Sequence, residues 1–193
     1  MSRVAMLYPG LERVVITAEQ IEARVKELSR EIDAHYPAEE SLLVVGLLKG
    51  AFIFVSDLVR AISRPSVQVD FLIAALYGDG TDSSREVELL HDPELPITDR
   101  HVLLVEDIVD SGKTLNRIGD ALLGRSPRSL EVCALLHKRI SADLRYEPRW
   151  VGFDAPADWL VGYGLDHAQR YRHLPFIAAV TREDEEGHRS WRN

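Results

Sequence analysis

Val102-Leu-Leu-Val105-Glu106-Asp107-Ile-Val-Asp110-Ser111-Gly112-Lys113-Thr114 lays out a strand, a turn and the start of a helix. A strand-sized apolar run delivers two adjacent carboxylates. Two apolar residues and a third carboxylate follow, then a small hydroxylic turn and a helical pattern to about Leu123. Gly112 can take a positive φ, so the turn can aim successive N–H groups at one anion. The helix N-terminus adds its partial positive charge, and Ser111 and Thr114 add hydroxyl donors. The turn therefore reads as a cradle for a phosphate monoester. A helix dipole explains one acid near the cap, but not two directly after a buried strand. Adjacent like charges there cost energy unless cations or hydroxyls satisfy them, so Glu106, Asp107 and Asp110 point to chemistry. Gly112-Lys113-Thr114 is not a nucleotide P-loop, because the first glycine of that motif would fall at position 107, which is Asp. Gly162-Tyr-Gly164 likewise fails as a dinucleotide fingerprint, since position 167 is His and the pair is not at the first strand-to-helix turn.

The same alternation extends outward in both directions. Thr17-Ala-Glu-Gln20 has the form of a capping box, and Ile21, Val25, Leu28 and Ile32 follow with helical spacing, predicting a helix over 18–35. Ser41 to Leu48 is a continuous apolar run, as expected for a strand buried on both faces. A helical pattern runs on to about residue 63, broken at Pro65. Val67 to Leu76, His101 to Val105 and Ser129 to Leu136 read as further strands. Trp150 to Phe153, Trp159 to Tyr163 and Phe176 to Val180 read as shorter ones. A long polar stretch from Tyr77 to Arg100 interrupts the series, with a short strand expected at Val87 to Leu90. Such loops are uncommon unless they are functional lids or short hairpins. Strands alternating with helices predict an α/β fold with a parallel-stranded central sheet flanked by helices. Ligands bind at the carboxyl ends of such strands, where Lys49-Gly50, the Glu106–Thr114 run and Asp166 fall. One domain is expected over 1–180, with a polar tail over 181–193.

The chain has 193 residues, and 23 Lys plus Arg against 31 Asp plus Glu give a net charge of 23 − 31 = −8. That acidity argues against nucleic acid as a partner, which calls for a basic footprint. The one cysteine, Cys133, excludes an internal disulfide and fits a reducing compartment. No apolar run approaches the roughly 20 residues of a membrane helix, and the start does not read as a secretory leader. A cytoplasmic protein without membrane contact is expected.

Several separate motifs, in order, carry a resemblance. Val105-Glu-Asp-Ile-Val-Asp-Ser-Gly-Lys-Thr114 resembles the phosphoribosyl pyrophosphate signature of type I phosphoribosyltransferases. Gly46-Leu-Leu-Lys-Gly-Ala-Phe-Ile-Phe54, Tyr77-Gly78, Leu136-His-Lys-Arg139, Val151 to Asp166 and Tyr171-Arg-His-Leu-Pro175 are similar to the hypoxanthine (guanine) phosphoribosyltransferases. The resemblance covers about residues 14–180. It implies the type I fold with a small hood built from the N- and C-terminal segments and a mobile lid over 77–90. It also implies transfer of ribose 5-phosphate from phosphoribosyl pyrophosphate to a 6-oxopurine, with Mg²⁺ screening the pyrophosphate, and a homodimer or homotetramer.

Residue by residue, the resemblance implies that Glu106 and Asp107 hold the ribose hydroxyls, directly or through Mg²⁺. Asp110 sits near purine N7 as general base, and Asp110, Ser111, Gly112, Lys113 and Thr114 bind the 5′-phosphate. Lys49 and Gly50, at a peptide often cis in the family, meet pyrophosphate through the backbone. Tyr77 covers the site, and Arg172 pairs with pyrophosphate. Lys138 donates to purine O6, selecting 6-oxo over 6-amino purines. Trp159 stacks on the ring, Leu160 offers its backbone to the purine edge, and Asp166 ligates a second Mg²⁺. Taken alone, Trp159 fits a core aromatic equally, and Asp166 fits an N-cap before a helix over 167–171. The family's lid serine is replaced by Leu76, which removes one expected bond to pyrophosphate. A regulatory protein of the same fold, and an enzyme for xanthine or a pyrimidine, are the alternatives. Lys138 and Trp159 favour a purine, while preference among hypoxanthine, guanine and xanthine stays open.

Overall fold

The computed structural model describes residues 7–8, 10–77, 86–140 and 143–181, with the backbone alone at 76, 77 and 86. In chain order the elements are β1 (Leu11–Ile16), α1 (Ala18–His35), β2 (Leu42–Leu48), α2 (Phe52–Ala61), β3 (Val67–Tyr77) and β4 (Glu86–His91). Then come β5 (His101–Val109), α3 (Lys113–Leu123), β6 (Ser129–His137), β7 (Trp150–Asp154), β8 (Leu160–Val161) and β9 (Ile177–Val180). They form two compact units, 25–155 and the N-terminal segment to Arg24 with the chain from Pro156 onward; α1 runs through the boundary.

The larger unit is a six-stranded sheet in the order β4-β3-β2-β5-β6-β7. All its pairings are parallel except β3–β4. Leu42, Leu43, Val44 and Val45 are fully buried, as a central strand with both faces covered requires. Leu43, Val45, Leu104, Val132 and Ala134 pack with Leu115, Ile118 and Leu122 of α3 in one core. On α2, Phe54, Val55 and Leu58 are buried. Each such side chain contributes about 1.5–3 kcal/mol on burial, so α3 is held by its apolar stripe and its N-terminus stays at the carboxyl end of β5.

The smaller unit is a three-stranded antiparallel sheet, β1-β9-β8. Leu11, Val161, Leu174, Ala178 and Val180 form its core, with Trp159, Tyr171 and Phe176 packed against them. This is the N- and C-terminal construction the resemblance implies. Thr17 and Gln20 make the reciprocal bonds of a capping box, Thr17 N to Gln20 Oε1 at 2.8 Å and Gln20 N to Thr17 Oγ1 at 3.3 Å.

Three expectations change, and one strand is new. β5 does not stop at Val105, because its ladder with β6 continues through Glu106↔Ala134 and Ile108↔Leu136 to Val109↔His137; the two acids are therefore on the strand itself. The expected strand over 159–163 shrinks to Leu160–Val161, since the chain turns at Gly162 (φ 100°). No helix forms over 167–171, because Ala168, Gln169 and Tyr171 take left-handed backbone at 51°, 63° and 73°. β1 was not anticipated, as its partner β9 lies some 160 residues away. The short strand expected at 87–90 is β4, whereas the rest of the expected lid, 78–85, and the Tyr77 side chain lie outside the described residues.

Candidate active site

In the larger unit, the carboxyl ends of β2, β5 and β6 bring the predicted residues forward. β2 ends at a cis peptide between Leu48 and Lys49. A Cβ placed on Gly50 would fall 1.6 Å from Asp107 Oδ2, so only glycine lets the Asp107 carboxylate lie against this turn. The Asp107 carboxylate thus lies against Gly50. Its neighbour Glu106 is 6% exposed, and its Oε2 has no hydrogen-bond partner. Burial, with Asp107 beside it, raises the Glu106 carboxyl well above the ordinary carboxylate range. A buried carboxylate oxygen without a donor calls for a cation or a hydroxyl.

Gly112 caps α3 in left-handed backbone, φ 77° and ψ −4°, and Asn116 N closes the first turn on Gly112 O at 2.8 Å. Glu106, Asp110, Ser111, Gly112 and Thr114, with an apolar back wall of Ile108, Val109 and Leu115, enclose a recess of about 70 Å³. The back wall was not singled out in the sequence. Its signal was present in the two apolar residues between the acids.

β6 supplies the cation. Lys138 N extends the ladder to Val109 O at 3.0 Å, and Lys138 Nζ then donates to Asp110 Oδ2 at 3.0 Å. The Lys138 side chain is 14% exposed and that of Asp110 51%. Parallel pairing of β5 and β6 thus unites two predicted residues that are 28 positions apart.

In the smaller unit, Leu160 is buried and paired with Ala179. Half-buried Trp159 meets the His167 ring edge-on at 6.2 Å. Asp166 Oδ2 accepts from Gln169 N at 2.8 Å, and its Oδ1 lies 2.6 Å from Arg172 Nη2. Arg172 donates also to Gly164 O at 2.7 Å and Gln169 Oε1 at 3.2 Å. Gly164 and Gln169 were missed as site residues; the glycine was weighed only as part of a dinucleotide motif. The pairing of Asp166 with Arg172 was not expected.

No group of three His, Cys, Asp or Glu that could hold a metal occurs among the described residues. Glu106, Asp107 and Asp166 offer hard carboxylate oxygens that suit Mg²⁺, an ion that keeps several waters and takes substrate oxygens as further ligands. The unsatisfied Glu106 Oε2 fits such an ion.

Residues 16–168 match the phosphoribosyl transferase domain family. The chain is 47% identical over 182 residues to the hypoxanthine-guanine phosphoribosyltransferase of Mycobacterium avium, covering 91% of this chain and 89% of that protein. It is 43% identical over 173 residues to the hypoxanthine phosphoribosyltransferase of Escherichia coli, covering 89% and 97%. A solved hypoxanthine-guanine phosphoribosyltransferase from Bacillus anthracis superposes with a TM-score of 0.84 at 39% identity, covering 89% of this chain and 99% of that one.

Proposed function

The chain belongs to the phosphoribosyl transferase family, and from that premise we propose that it salvages purines by moving the 5-phosphoribosyl group of phosphoribosyl pyrophosphate onto hypoxanthine or guanine. The products are the purine nucleotide, IMP or GMP, and pyrophosphate. The observation that carries this reading is the Lys138–Asp110 pair, a cation and a carboxylate 3.0 Å apart beside the left-handed Gly112 turn that opens α3.

In this reading the C1′–oxygen bond to pyrophosphate breaks as the bond from C1′ to a purine ring nitrogen forms. The ring proton passes from N7 to Asp110, whose side chain is 51% exposed. Lys138 carries three N–H donors, so it can hold Asp110 and still donate to purine O6. A 6-amino group would oppose donor to donor and be rejected. The Asp110–Thr114 turn takes the 5′-phosphate on its N–H groups and the end of α3. Glu106 and Asp107 hold the ribose hydroxyls, directly or through Mg²⁺, and the Lys49–Gly50 turn against which Asp107 lies meets pyrophosphate. Trp159 stacks on the base, Leu160 offers it backbone groups, Tyr77 helps cover the site, and Arg172 pairs with pyrophosphate through its planar fork. One Mg²⁺ at Glu106 and Asp107 and a second at Asp166, each with substrate oxygens, would supply charge neutralisation on the leaving pyrophosphate.

The test is a spectrophotometric assay with phosphoribosyl pyrophosphate and hypoxanthine, guanine, xanthine or adenine in turn. Nucleotide is expected from hypoxanthine and guanine and not from adenine; no product from any 6-oxopurine overturns the reading. Asp110→Ala is expected to lower turnover by about 10²–10⁴-fold, the usual worth of general base catalysis, with phosphoribosyl pyrophosphate still bound. The same reading carries a cytoplasmic enzyme and a homodimer or homotetramer, checked by sedimentation. Among the described residues, no helix is long and apolar enough to cross a membrane.

A further inference from the structure

Both oxygens of Asp166 are already in use. Gln169 N donates to Oδ2 at 2.8 Å, and the Arg172 guanidinium stands 2.6 Å from Oδ1. The pair is largely withdrawn from solvent, with side chains 26% and 19% exposed. Arg172 is also tied to Gly164 O and Gln169 Oε1, so its fork is held in one place. A dication approaching Asp166 therefore meets a fixed guanidinium, and repulsion between like charges at such range in a half-buried setting is strong. No group of three candidate ligands that could offset it occurs among the described residues.

We propose that Arg172 is an internal competitor for the Asp166 carboxylate, which makes metal binding there conditional on a pyrophosphate-bearing substrate. Pyrophosphate is a polyanion. It gives the guanidinium two oxygens that match its fork and gives the cation further hard ligands. Only when both arrive together does Arg172 exchange a carboxylate for a phosphate and Asp166 exchange a guanidinium for a metal. The device keeps the free protein from holding a cation in an incomplete coordination shell. This inference rests on the reading of Asp166 as a metal ligand and Arg172 as a pyrophosphate ligand.

Binding of Mn²⁺ to the full chain, followed by the loss of the free-ion electron paramagnetic resonance signal, tests it without turnover. The component of binding abolished by Asp166→Asn defines the site. Without pyrophosphate, Arg172→Gln is expected to bind Mn²⁺ at that site at least about fivefold more tightly than the wild type, because the competing charge is gone. Arg172→Lys, which keeps the charge, is expected to stay near the wild type. The gain on adding pyrophosphate is expected to be smaller in Arg172→Gln than in the wild type. Arg172→Met is the second variant should the first not fold, and Gln169 N continues to hold Asp166 in either. Unchanged or weaker Mn²⁺ binding in the folded Gln or Met variant overturns the competition. Absence of any Asp166-dependent binding, even with pyrophosphate, overturns the metal role of Asp166 and the inference with it. The phosphoribosyl transfer assay decides the enzyme reading separately.

Discussion

At Gly50 the space for a side chain is filled by a carboxylate. A Cβ would sit 1.6 Å from Asp107 Oδ2 and 2.3 Å from its Cγ, and Asp107 stands within β5. Gly50→Ala must therefore displace the Asp107 carboxyl or the turn after β2. The expected outcome is a stability loss of about 1–3 kcal/mol, the usual cost of forcing atoms into a packed place, with a rise in KM for phosphoribosyl pyrophosphate. Denaturant unfolding and steady-state kinetics check the two effects. The left-handed cap at Gly112 was legible in the sequence, because a hydroxyl–glycine turn before a helix has few other uses. The contact between Gly50 and Asp107 was not, since 57 residues separate them and only the sheet sets them side by side.

Helix α3 is fastened to the chain that follows β6. Asn116 Nδ2 donates to Asp143 O at 2.7 Å, and its Oδ1 accepts from Arg145 N at 2.8 Å. Asp120 takes both Arg145 Nη groups, at 2.8 and 2.7 Å, and the Tyr146 hydroxyl at 2.8 Å. The bonds from Arg145 and then from Tyr146 hold the Asp120 carboxyl below its ordinary range. A carboxyl lowered by folding binds its proton more readily when unfolded. Its stabilisation is present above the ordinary aspartate pKa of 3.8 and is lost as pH falls through the folded value. Asp120→Asn is thus expected to lower the melting temperature near neutral pH and to narrow its gap from the wild type as the pH falls below about 4. Thermal unfolding of both proteins across pH 3–7 measures this. The helix itself was plain from its apolar stripe. Its polar fastening was not, because Asn116 and Asp120 look like ordinary solvent-facing positions until the chain from Asp143 returns to them.

Over the larger unit, stability comes from one apolar layer in which Leu104 is fully buried beneath α3. Leu104→Ala leaves a cavity there, and a loss of about 2–5 kcal/mol is expected, read from the denaturant midpoint at unchanged slope. Retained stability would show that the layer can collapse around the gap. Composition, strand-sized apolar runs and helical spacing determined the α/β class, most element boundaries and the phosphate turn, because those depend on periods of two and 3.6 residues and on local turn chemistry. The motifs also determined the family. Tertiary structure alone decided that Glu106 and Asp107 stand on β5 itself and that Asp107 lies against Gly50. It also decided that Lys138 reaches Asp110, that β1 pairs with β9, and that Arg172 is bound by Asp166. Each of these joins residues through strand register or a folded turn. Register is an outcome of how whole strands pack their faces, and no local stretch of sequence contains it.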